Sequence, residues 1–307
     1  MKFQPARTNE QKSMAVYIIL AFGITWLCWI PALVIAGQQG YLLPTMANFA
    51  QLSATGFTNG QHVFLSILFS LAVYGPLTGA LVATAMRSGK AGLADLLARM
   101  IHWRVGAKWY ALTIGIPLVI SLVPWLVGTL TGNLQVPAVA VTLPVALGFL
   151  VWQLLTSGLG EEPGWRGFLL PTLLARQGSD KTVWTLGILW AVWHYPFTVY
   201  VTLSNIVDTP LIGVLITVVM ALLGQTISLV GITYLYLWLY NNTKSVWIAI
   251  LFHALTNFIP QIILAGLNPS LGILTAIMPW VLVFVLERVY GKAHFPGVVE
   301  TTPSANS

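Results

Sequence analysis

The chain has 307 residues, of which 57% are hydrophobic and 7% charged, with 14 Lys and Arg against 8 Asp and Glu. Soluble domains carry roughly a quarter charged residues, so this composition excludes a globular protein wrapped in a water-facing surface; most of the exterior must face lipid. The net charge of +6 does not point to nucleic acid, because Lys and Arg sit in short segments between long apolar runs, and the single cysteine, Cys28, excludes an intrachain disulfide.

A spanning helix needs about 20 apolar residues. In chain order, eight stretches meet that requirement: 14–36, 63–86, 109–131, 141–165, 183–203, 211–240, 245–262 and 271–290. The first follows Lys2, Arg7 and Lys12 as a signal sequence would, but Met14–Gly37 is about twice the length of a signal's apolar core, so it reads as a retained span. Between the second and third stretches, Leu93, Leu96, Leu97, Met100 and Ile101 alternate with Arg99, Arg104 and Lys108 at helical spacing. This predicts an amphipathic helix over 88–108, lying along the cytoplasmic surface. Residues 1–295 read as one transmembrane domain, and 296–307 as a disordered tail. The expected fold class is thus an all-α integral membrane protein, a bundle of about eight transmembrane helices with an amphipathic cytoplasmic surface helix.

Placing both termini in the cytoplasm puts all 14 Lys and Arg in the inside segments, leaving Asp208 as the charge of the outside loops. The positive-inside rule makes orientation follow that segregation. The expected location is a prokaryotic plasma membrane.

Ionisable residues within spans are costly, about 2.5–3.5 kcal/mol each on insertion scales, and mark function. Three clusters qualify. In Gly158-Leu159-Gly160-Glu161-Glu162-Pro163-Gly164-Trp165-Arg166, Glu162 and Arg166 stand four apart and can pair on one helix face. Glu161, about 100° away, is directed elsewhere, and Pro163 predicts a kink. In the fifth stretch, Trp190 precedes His194 by four residues. In the seventh, His253 and Asn257 are again four apart and share a face. Counted from the cytoplasmic ends, Glu161, His194 and His253 are expected in the cytoplasmic half of the membrane. A carboxylate, two imidazoles and a carboxamide are the means to activate water and stabilise an oxyanion.

Glu-Glu-x-x-x-Arg, an aromatic four residues before His, and His-x-x-x-Asn on a later helix together resemble the CPBP family of intramembrane peptidases. That family is also known as Abi or CAAX-prenyl-protease-2-like. The resemblance covers about residues 141–262. It implies that Glu161 is the general base for an attacking water and that His194 helps hold that water. It further implies that His253 and Asn257 form the oxyanion hole, while Glu162, Arg166 and Trp190 support the site. Trp190 and Pro163-Gly164 depart from the commoner residues at those positions. The implied substrate is a membrane protein or a lipidated peptide. Glu161, His194 and His253 are also donors that a divalent metal such as Zn²⁺ would accept, and the two histidines favour a metal-activated or metal-sensitive site. A proton-coupled transporter, and a catalytically silent immunity or scaffold protein on the same fold, are the alternatives.

Overall fold

The computed structural model describes residues 5–135, 141–268 and 271–291. The expected tail at 296–307, together with Lys2 and Lys292, lies outside the described residues. Within them the protein is an all-α membrane bundle whose one β feature is an isolated bridge between Leu134 and Leu267. Seven helices are long and apolar enough to cross a membrane, and a bent pair supplies an eighth span. In order the spans are Pro5–Gln39, the pair Gly60–Ala72 and Gly75–Met100, Ala107–Leu130, Leu143–Gln177, Ser179–Ser204, Leu211–Thr243, Val246–Ile263 and Gly272–Tyr290. A short helix, Phe49–Thr55, lies in the loop after the first span.

Cross-links at each end confirm the alternating directions of the spans. At one end Arg99 donates to the Gly167 carbonyl at 2.7 Å and to the Tyr240 hydroxyl at 3.0 Å. The Ser245 hydroxyl donates to His102 O at 2.6 Å at the same end. At the other end Gln135 N–H donates to Gly266 O and Asn268 N–H to Asn133 O, while the Phe49 ring packs at a tilt against Phe149 and Trp152.

The second span bends by 43° between Ala72 and Gly75. The Thr25 hydroxyl caps the Ala72 carbonyl at 2.7 Å, so the break costs little buried hydrogen bonding. Opposite the break passes the fourth span, at its glycines. A Cβ on Gly160 would lie 2.8 Å from the Val73 carbonyl oxygen, and one on Gly164 2.6 Å from that of Pro76. Only a residue without a side chain lets these two backbones touch.

Three expectations change. The fourth span runs on to Gln177, so Arg166 lies inside the bundle, fully buried, and is not one of the loop charges that set topology. Where Pro163 predicts a kink, the helix widens into π-type turns, at Leu154–Gly158 and Pro163–Leu169. Proline lacks the N–H for a normal α-helical bond, and a wider turn accommodates that loss. The surface segment is the continuation of the second span, swung aside at Gly89, where φ is +58°. There Leu96 is buried against the bundle while Leu97, Ile101 and Trp103 are exposed, an arrangement suited to a membrane interface.

Gly164→Ala is expected to lower the melting temperature of the detergent-solubilised protein, by overpacking worth about 1–3 kcal/mol. Gly148→Ala, whose Cβ would meet nothing within 4 Å, is expected to melt at or above the wild-type temperature. Equal melting of the two variants would contradict the backbone contact.

Candidate active site

The fourth span presents its two adjacent carboxylates in different directions. Glu162 points into the protein, where one oxygen, Oε1, accepts from Arg166 Nη1 at 3.0 Å and from His253 Nδ1 at 2.7 Å. Glu162 and Arg166 side chains are both 0% exposed. The guanidinium lies against two aromatic rings, 3.6 Å from the Tyr236 centroid and 4.0 Å from that of Trp190. Cation–π contact of this kind replaces part of the hydration that burial removes.

Glu161 faces a cavity of about 450 Å³ whose lining also includes His194, His253 and Asn257. All four residues expected to do chemistry therefore meet one space. The Glu161 Oε2 atom accepts from Trp190 Nε1 at 2.8 Å. His194 Nδ1 lies 2.8 Å from the Trp190 carbonyl oxygen. A carbonyl only accepts, so Nδ1 carries the proton and Nε2 of the neutral ring is an acceptor. That Nε2 stands 4.0 Å from Glu161 Oε2, beyond direct hydrogen bonding and suited to a shared water. Trp190 thus orients both groups, through its indole on one and its backbone on the other.

His253 is held by the same logic. Its Nδ1 donates to Glu162, which leaves Nε2 as the atom available to the cavity. Asn257, one turn further along the seventh span, donates through Nδ2 to Gln153 Oε1 at 2.8 Å.

Gln153 and Tyr236 are the functional neighbours that the motifs did not mark. A glutamine within an apolar run, 1% exposed and eight positions before Glu161, carried a signal in its polarity alone. Tyr236 carried none, since an aromatic residue in an apolar span reads as packing.

Along their helices, Glu161 lies midway in Leu143–Gln177, His194 is nearer Ser204 than Ser179, and His253 is nearer Val246 than Ile263.

As placed, these donors do not suit a metal. Among the described residues no group of three His, Cys, Asp or Glu is arranged to hold one. A 4.0 Å gap between Glu161 and His194 exceeds the roughly 3.3 Å that two ligands about 2.0 Å from a tetrahedral zinc would show.

No curated protein matches the chain. Residues 142–259, which carry Glu161, Glu162, Arg166, Trp190, His194, His253 and Asn257, match the family model for type II CAAX prenyl endopeptidase Rce1-like proteins, and this segment of the chain is similar to that family.

Proposed function

We propose that the protein is an intramembrane endopeptidase of CAAX-protease-like type, with the central cavity as its active site. The observation that carries this reading is the meeting of Glu161, His194, His253 and Asn257 on one cavity, with two proton acceptors 4.0 Å apart. A water between Glu161 Oε2 and His194 Nε2 would direct one O–H to each and turn a lone pair toward the substrate carbonyl. Glu161 takes the proton as the C–O bond forms, and later passes it to the leaving amine as the C–N bond breaks. Negative charge meanwhile moves from Glu161 to the carbonyl oxygen. Asn257 Nδ2–H and His253 Nε2–H, with the imidazole protonated on both nitrogens, are the donors for that oxyanion.

The charge count supports this assignment. Glu161 and Glu162 bring two negative charges into the bundle, and Arg166 brings one positive charge. A protonated His253 makes the set neutral both before attack, with Glu161 ionised, and after it, with the oxyanion formed. Buried charge is tolerated when it is balanced in this way.

The proposed setting is a prokaryotic plasma membrane with both termini cytoplasmic, and the proposed substrate a membrane protein or lipidated peptide. The chemistry is assigned to the side chains alone, without Zn²⁺ or another metal. A proton-coupled carrier draws less support: carriers pair two broken spans, and among the described residues acidic side chains lie mid-span in the fourth span alone. The silent scaffold reading gains no observation of its own, because each group the chemistry needs faces the cavity.

Glu161→Gln is expected to lower peptide cleavage by about 10²-fold or more while leaving the melting temperature near wild type. Asn257→Ala should lower kcat by about 10²–10³-fold with a smaller change in KM; an effect on KM alone would remove the oxyanion role. Gln153→Leu should cost about tenfold in kcat, the worth of one hydrogen bond near 1.4 kcal/mol. Gln153→Glu, which keeps an acceptor for Asn257, should recover most of that loss; a recovery confined to stability would leave Gln153 a packing residue. Turnover is expected to withstand a strong chelator, and its abolition by chelation with restoration by Zn²⁺ would refute the metal-free assignment.

A further inference from the structure

The cavity has a direction. Toward the end of the bundle that carries Lys12, Arg87, Lys90, Arg99, Lys108, Arg176 and Lys181, the space beyond Glu161 is filled. Tyr17, Trp165, Arg166, Phe168, Leu169 and Tyr236 are all buried there. On the fourth span the cavity is lined by Trp152, Gln153, Thr156, Ser157 and Glu161, and by nothing beyond Glu161 in the direction of Gln177. Its other lining residues continue to the opposite end. Met46 and Ala47 lie in the loop after the first span, Thr202 in the last turn of the fifth, and Gln261 in the last turn of the seventh. The loops at that end carry Asp208 and, among the described residues, no Lys or Arg.

The positive-inside rule assigns the Lys- and Arg-rich end to the cytoplasm. We infer that the cavity is loaded from the non-cytoplasmic side, and that its substrate is an uncharged, extended peptide segment presented at the outer leaflet. This inference rests on the peptidase reading and adds to it the side and the chemistry of the substrate. The lining favours an uncharged segment: beyond the catalytic Glu161 and His253, no Lys, Arg, Asp or Glu lines the cavity. The polar wall favours a peptide over a purely hydrocarbon occupant. An extended backbone at membrane depth must have its N–H and C=O groups satisfied by protein. Ser70, Thr156, Thr198, Gln225 and Gln261 distribute uncharged donors and acceptors along the cavity for that purpose, while Trp29, Phe69, Phe197 and Leu229 supply apolar surface for side chains.

Sidedness can be measured without cleavage. In full-length protein carrying Cys28→Ser, single substitutions Thr202→Cys and Gln261→Cys mark the mouth, and Lys181→Cys, at an exposed site, marks the opposite face. A membrane-impermeant maleimide added to intact cells should label both mouth variants, with an intact-to-permeabilised ratio near one. Lys181→Cys should show a ratio at least about tenfold lower, as a residue of the positive, inside face. Labelling of the mouth variants only after permeabilisation, or not at all in protein that a permeant maleimide does label, overturns the inference. Cleavage by wild type and by Glu161→Gln in detergent tests the peptidase reading separately. A dead wild-type enzyme with outward labelling would sink that reading and leave the sidedness standing, whereas an active enzyme with inward labelling would do the reverse.

Discussion

Everything in the centre of this bundle is arranged around one buried ion pair. Glu162 and Arg166 lie on the same face of the fourth span, fully out of contact with solvent. Two such charges would be expensive to hold in a membrane if either were left alone; removing one partner of a buried pair typically costs about 3–5 kcal/mol. The protein surrounds them with complementary groups from three other spans: the Trp190 ring from the fifth, the Tyr236 ring from the sixth and the His253 imidazole from the seventh. The helices that must meet to build a reactive cavity are therefore the helices that neutralise this pair. Electrostatic need and site assembly are the same constraint.

Two adjacent glutamates would be redundant if they faced the same way. Consecutive residues on a helix diverge by about 100°, and here that divergence separates structure from chemistry. Glu162 addresses Arg166 and His253, fixing the imidazole so that one nitrogen is left over. Glu161 addresses the cavity, restrained by a single indole N–H and otherwise free to act on what enters. Trp190 joins the two halves, with one face against Arg166 and its edge and backbone directed at Glu161 and His194.

Much of this was readable in the sequence, for particular reasons. The spans announced themselves because apolar runs of that length have one stable environment, and the Glu162–Arg166 pair because i and i+4 are always neighbours on a helix. His194, His253 and Asn257 stood out because polar groups within spans are costly. Three things were not legible. The fourth span's true end was hidden because Arg166 looks like a loop charge until its buried partners are known. The role of Tyr236 depends on a contact between distant segments. The one-sided opening of the cavity follows from how the helices pack, which no local pattern records.

The two wide turns at Leu154–Gly158 and Pro163–Leu169 flank the glutamates like a pair of shims. Each holds a residue more than an α-helical turn would, and so sets the angle at which the segment between them faces its neighbours. Length in this stretch is therefore a reactive parameter. Loss of a single residue from either turn would restore ordinary helix and rotate the intervening carboxylates by about 100° relative to one flank of the span. The composition would be unchanged in kind and hydropathy nearly so, yet Glu161 would face packed side chains. Related chains that keep both acids but differ by one residue here would carry the same letters in a different orientation.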